Sequence, residues 1–107
     1  MVSKRTKALA IDRLVRLQVM ERDNNRCIMC GKSNGLTIAH YLNRGAGGLG
    51  IEQNLVVLCL QHHFDTDQTT KRKLNLAFIK DYLKSKYPDW DEGKLKYGFD
   101  TGTKRQD

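Results

Sequence analysis

LTIAHYLNRGAGGLGIEQNLVVLCLQHHFDTD, residues Leu36 to Asp67, is the stretch whose reading decides the fold. Leu36-Thr37-Ile38-Ala39-His40 is short and mostly apolar, and it reads as a strand. Leu55-Val56-Val57-Leu58 reads as a second one. The loop between them runs through Gly45 to Gly50, with four glycines in six residues, which calls for unusual backbone angles or a close approach to a ligand. It lacks the lysine pattern of a phosphate-cradling nucleotide loop, so nucleotide binding is excluded. A helical segment starts at Leu60, and further on Leu74, Phe78, Ile79, Tyr82 and Leu83 give it an apolar face. It must stop by Tyr87, because Pro88 disfavours helix in the residue before it.

Upstream, residues 8–22 read as one helix with Ile11, Leu14 and Val15 as the apolar part of its inner face. Asp23-Asn24-Asn25 breaks it. Cys27 and Cys30 then form a knuckle in which a tight turn aims two thiolates the same way, and Lys32 to Gly35 turn the chain into the first strand. The order helix, strand, long loop, strand, helix predicts an α+β fold with a ββα core and flanking helices. The 107 residues make a single domain, and residues 98–107 form a polar tail expected to fray. Only 39% of residues are hydrophobic and 7% aromatic, so the core is thin and a metal staple would help it.

The staple is legible in the spacing. Cys27 and Cys30 have two residues between them, as do Cys59 and His62. Two such pairs across a hairpin supply the four tetrahedral ligands of Zn²⁺, and thiolate and imidazole suit that ion. All three cysteines are used, and an odd count argues against a disulfide framework. A full set of four leaves no open position for water, so this zinc is structural rather than catalytic.

A second pattern overlaps the first. His40 ends the first strand, Asn54 opens the second, and His63 lies on the helix beside His62. Adjacent helical residues point about 100° apart, so His62 can face the zinc while His63 faces elsewhere. Asp67 follows His63 by four residues and projects from the same helix face. This pair can hold one divalent cation, with waters and a phosphate oxygen completing its shell.

On the residues of Ile38 to Asp67, and more loosely from Glu21 to Tyr97, the chain resembles the HNH (ββα-metal) endonucleases, in particular small phage members with zinc knuckles. The resemblance implies a metal-dependent DNA endonuclease that hydrolyses phosphodiester bonds, nicking or cutting both strands. It implies His40 as the general base, Asn54 as the residue that bonds backbone and fixes the loop carrying the base, and His63 with Asp67 at a catalytic Mg²⁺, Mn²⁺ or Ni²⁺. One position departs from the pattern. Many members place an Asp or His ligand immediately before the base, where this chain has Ala39. Either His63 and Asp67 suffice with water, or Asn54 or Asp65 contributes.

Charge fits a polyanionic partner: 19 Lys and Arg against 12 Asp and Glu leave a net +7. Arg44 in the glycine loop and the cluster Lys71-Arg72-Lys73 are candidate DNA contacts, with Lys4, Arg5, Lys7, Arg13 and Arg16 as further candidates for the phosphate backbone. A homodimer, or a phage packaging or recombination partner, is compatible with this reading. No apolar run is long enough for a membrane span, and the basic N-terminus lacks the apolar core of a signal peptide. The expectation is an intracellular protein, in bacterial cytoplasm. The rival expectation is a non-catalytic zinc-stapled DNA-binding or phage accessory module, which Ala39 keeps in play.

Overall fold

The computed structural model describes residues 3–98, so the tail expected over 98–107 lies, beyond Gly98, outside the described residues. The chain folds as α1 (Lys4–Leu9), α2 (Arg13–Arg22), β1 (Leu36–His40), β2 (Leu55–Cys59), α3 (Leu60–Gln68) and α4 (Arg72–Lys86), with short 3₁₀ turns at Arg44–Ala46, Glu52–Asn54 and Glu92–Leu95. It is a small α+β fold around one antiparallel hairpin. The register pairs Leu36 with Cys59 and His40 with Leu55.

Every residue of β2 is buried, and its alternation sorts the core into two layers. Leu55 and Val57 face α2, where they meet Ile38 of β1 and Val19, with Ile11, Val15 and Met20 at the margin. Val56 and Leu58 face α4, where they meet Ala39, Ile79 and Leu83. A continuous apolar run such as LVVL is what a strand covered on both faces requires. Each of these fully buried aliphatic side chains contributes about 1.5–3 kcal/mol.

Both long helical stretches are broken where the sequence suggested continuity. The first splits at Ala10–Asp12. Asp12 caps α2 by accepting from the Val15 N–H at 3.0 Å, while Ala10 is extended. The second splits between Gln68 and Arg72, where Thr69 donates to the Asp65 carbonyl at 2.6 Å and accepts from the Lys71 N–H at 3.1 Å. The buried faces also shift. Leu14 is 67% exposed, and α2 packs through Val15 and Val19 instead. On α4 the buried stripe is Asn75, Ile79 and Leu83, while Leu74 and Phe78 remain exposed. The stop at Pro88 agrees with expectation, since α4 ends at Lys86 and Tyr87 N–H closes on the Leu83 carbonyl.

A buried polar bracket ties the layers together. The Asp23 carboxylate accepts from Arg22 at 2.7 and 2.9 Å, from the Val57 N–H at 2.9 Å, and from the Tyr82 hydroxyl. Arg22 also donates to the carbonyls of Glu52 and Leu55 and to the Tyr87 hydroxyl. Burial opposes the charge on Arg22, but its bonds to Asp23 and Tyr87 outweigh that and raise its pKa. The bracket joins the end of α2 to the start of β2 and to α4, and so fixes the turn that carries Asn54.

Two glycines mark where backbone segments touch. A methyl on Gly48 would lie 1.6 Å from the Leu42 carbonyl oxygen, and one on Gly50 would lie 2.0 Å from that of Ala10. Only glycine allows the loop to fold back on itself and to receive the end of α1. Among the described residues, no helix is long and apolar enough to cross a membrane.

Candidate metal centre and adjoining cleft

Cys27, Cys30, Cys59 and His62 converge, with ligand atoms all within 4.8 Å of one another. The Cys30 and Cys59 sulfurs are 3.8 Å apart, and His62 Nδ1 lies 3.7 Å from Cys27 Sγ and 3.3 Å from Cys59 Sγ. A disulfide would need about 2.05 Å between sulfurs. A tetrahedral Zn²⁺ with bonds of about 2.3 Å to sulfur and 2.0 Å to nitrogen predicts edges near 3.5–3.8 Å. The donor set therefore fits a metal ion such as zinc.

Local structure builds this centre. Cys59 ends β2 and is also the N-cap of α3, its sulfur accepting from the His62 N–H at 3.5 Å. The knuckle is held to β2 by the Ile28 N–H on the Val57 carbonyl, at 3.1 Å. Burial pushes the Cys27 thiol up, but hydrogen bonds to backbone around it, including the Met29 N–H at 3.4 Å, prevail and bring it to about 7. Cys27 and Cys59 are also part of the core layer under α4, so the ligands and the apolar packing share residues.

His63 turns away from this centre into a cleft of about 360 Å³, lined by Ile11 and Ile38 on its apolar side and by His40, Arg44, His63 and Asp67. Two hydrogen-bond chains set the tautomers there. Thr37 Oγ1 lies 2.8 Å from the Leu58 carbonyl and 2.7 Å from His63 Nδ1. A carbonyl only accepts, so the single hydroxyl proton goes to Leu58 and His63 Nδ1–H must donate to Thr37. The lone pair of neutral His63 is then on Nε2, which faces Asp67 Oδ2 at 3.4 Å. His40 Nε2 lies 3.2 Å from the Leu9 carbonyl, so it carries the proton and leaves the lone pair on Nδ1. Burial lowers the His40 pKa. The bond to Leu9 opposes this, and the charge of Arg44 adds to it.

Asn54 is wholly buried. Its amide donates to the carbonyls of Leu42 and Leu49 at 3.0 and 2.9 Å, and its oxygen accepts from the Leu42 N–H at 2.8 Å. It thereby clamps both ends of the glycine loop. Asn54→Ala leaves these backbone groups without partners and is expected to destabilise the fold by about 3 kcal/mol. Urea unfolding measures this, and a loss below about 0.5 kcal/mol would show that the clamp is dispensable.

The other candidate residues fall as follows. Ala39 is buried against α4, on the opposite face of β1 from His40, so a carboxylate there would be aimed into the core. Asp65 is engaged by Gln61 at 3.0 Å and Lys71 at 3.8 Å. Asn54 is bonded to the loop backbone, and neither it nor Asp65 lines the cleft. Arg72 is drawn to Asp67 at 4.0 Å and to the Thr66 carbonyl at 3.3 Å, while Lys73 is exposed. Lys4, Arg5, Lys7, Arg13 and Arg16 are exposed on α1 and α2. Thr37 and the Leu9 carbonyl were not singled out in the sequence. A threonine in a strand carries no local signal, and a backbone carbonyl carries none at all.

No family model matches the chain, and no curated protein matches it either.

Proposed function

We propose that this protein is a metal-dependent endonuclease of the HNH type that hydrolyses phosphodiester bonds in DNA. The observation that carries the reading is two histidines in one cleft whose hydrogen-bond partners assign them opposed tautomers. His63 presents a lone pair on Nε2 towards the Asp67 carboxylate, and His40 keeps Nδ1 free. Two electron-rich groups 3.4 Å apart repel unless a cation or a proton lies between them. A histidine that donates its other nitrogen to a fixed acceptor is arranged as metal ligands commonly are. A carboxylate with phosphate and water is what Mg²⁺ sites use, and the added imidazole also suits Ni²⁺.

In this mechanism His40 Nδ1 removes a proton from water as the water oxygen attacks phosphorus. The bond from phosphorus to the 3′-oxygen breaks, and that oxygen leaves to be protonated by solvent. The Leu9 carbonyl holds the base in the productive tautomer and stabilises its positive charge once protonated. Thr37 orients His63, and Asn54 keeps the glycine loop, with Arg44, beside the cleft. A divalent cation such as Mg²⁺, Mn²⁺ or Ni²⁺ at His63 and Asp67 would stabilise the charge that develops on the phosphate and the leaving oxygen. Zn²⁺ held by Cys27, Cys30, Cys59 and His62 would serve folding. One cleft per chain cuts both strands only with a second copy or by successive nicks.

Supercoiled plasmid incubated with each divalent metal, against a chelator control, tests the reading: nicked circles should form with metal and not without. The rate should also report on His40. The neutral imidazole is the active form, and burial lowers its pKa from the ordinary 6.5. Activity should therefore rise along an acid limb centred below pH 6.5 and be level through neutrality. A limb centred above pH ~7 would assign proton abstraction to another group.

A non-catalytic zinc-stapled DNA-binding module is the second reading. It is favoured by the burial of Ala39, which leaves His63 and Asp67, among the described residues, to hold a second metal. The absence of nicking under every metal would select it.

A further inference from the structure

Two basic side chains meet at one glycine of the loop, and a third, Arg44, lies three residues before it and lines the adjoining cleft. Gly47 N–H donates to the Arg44 carbonyl at 2.9 Å. A methyl built on Gly47 would lie 3.3 Å from Lys96 Cγ and 3.8 Å from Arg5 Nη2. Arg5 comes from α1, and Lys96 from the segment after the Glu92–Leu95 turn. Backbone bonds tie the segments that carry Arg5 and Lys96 to the loop. Gly48 bridges Lys96, Tyr97 N–H reaches the Gly47 carbonyl at 2.7 Å, and Leu49 N–H reaches that of Leu95 at 2.8 Å. Gly50 N–H reaches the Ala8 carbonyl at 3.0 Å. The ends of the described chain are thus brought to the same loop.

These basic residues of the same loop region are not neutralised by described carboxylates. The ion pairs among the described residues involve Arg22, His63, Lys71, Arg72 and Lys80. Arg5, Arg44 and Lys96 are exposed, and none has a described carboxylate within 4.0 Å. By contrast, Lys71 and Arg72 are drawn to Asp65 and Asp67. Like charges gathered around one loop repel one another, and a polyanion relieves that repulsion. Arg44 also lines the cleft that holds His40 and His63.

We propose that Arg5, Arg44 and Lys96 form a phosphate seat that receives the DNA backbone beside the cleft. This rests on the nuclease reading for its choice of partner. It assigns the track of the strand to α1, the glycine loop and the 95–97 segment, rather than to Lys71-Arg72-Lys73. Lys96 belongs to it although no motif marks that residue.

The test is binding of a labelled duplex DNA oligonucleotide without added divalent metal, titrated at several salt concentrations. Each lost phosphate contact lowers the slope of log affinity against log salt by about 0.9. Arg5→Gln/Lys96→Gln should therefore lower it by about two and weaken binding about ten- to a hundredfold near 0.1 M salt. Lys32→Gln/Lys84→Gln removes the same charge on the knuckle side and on α4, and should leave the slope close to wild type. Should the first double variant melt early, Arg5→Gln and Lys96→Gln taken singly should each lower the slope by about one. A seat variant with the wild-type slope overturns the proposal, as do equal losses in both double variants or a wild type that does not bind. Wild type that binds with the expected slope but never nicks plasmid would sink the nuclease reading and leave the seat standing. Wild type that nicks while the seat variant keeps its slope would do the reverse.

Discussion

Cys30→Ser is expected to release the metal and unfold most of the domain, although Cys30 itself is exposed and is not a core residue. Serine is nearly isosteric with cysteine, so any large loss of stability must come from the metal bond. The magnitudes favour a large effect. A small domain is stable by about 5–15 kcal/mol. Structural zinc in small modules contributes about 10–16 kcal/mol. Cys27 and Cys59, the neighbouring ligands, are also core residues packed with Val56, Leu58 and Ile79, so a loosened centre opens that layer directly. The checks are metal content by elemental analysis, with about one Zn²⁺ expected per wild-type chain, and far-ultraviolet circular dichroism of both forms. A variant that is metal-free yet fully folded, or a wild type without metal, would refute the structural zinc. Cys59→Ser should be about as damaging: serine can still cap α3 by accepting from the His62 N–H, so the loss again reports the metal bond.

His40→Ala is expected to remove most nicking activity while leaving zinc content and melting temperature near those of wild type. A general base accounts for about 10²–10⁴ in rate, so a weak residual activity is expected at high enzyme. His62→Ala separates folding from chemistry, since it should lower metal occupancy and stability, with activity lost as a consequence. His63→Ala should keep the zinc and the fold but need far more Mg²⁺ or Mn²⁺, and a high metal concentration should partly restore it and not His40→Ala. Thr37→Val is a finer probe. It keeps the shape, removes the acceptor for His63 Nδ1–H, and should raise the metal requirement about ten- to a hundredfold. Nicking by His40→Ala at the wild-type rate would refute the assignment of the base. Loss of zinc from His63→Ala, with zinc retained in His62→Ala, would mean that the neighbours have exchanged roles.

Much of this was legible along the chain because it depends on short spacings. The two Cys/His pairs, the two strands and the stop before Pro88 follow from residues within a few positions of one another. Helix continuity was not legible. Ile11, Leu14 and Val15 suit a helical period, but Asp12 prefers to cap the Val15 N–H, and Ala10 is held extended where Gly50 admits it. The buried faces of α2 and α4 also differed from the simplest period. Their orientation is set by a hairpin covered on both sides and by the Arg22–Asp23–Tyr82 bracket, whose partners are up to 65 residues apart.

The sequence by itself determined which residue types stand together: the four donors that could hold a metal, and His63 with Asp67 on one helix face. Only the tertiary structure decided which nitrogen of each cleft histidine carries the proton. That choice depends on the acceptor against the other nitrogen. For His63 the acceptor is Thr37, 26 residues away, and for His40 it is the Leu9 carbonyl, 31 residues away. A tautomer is a property of a neighbour in space, and local spacing holds no record of it.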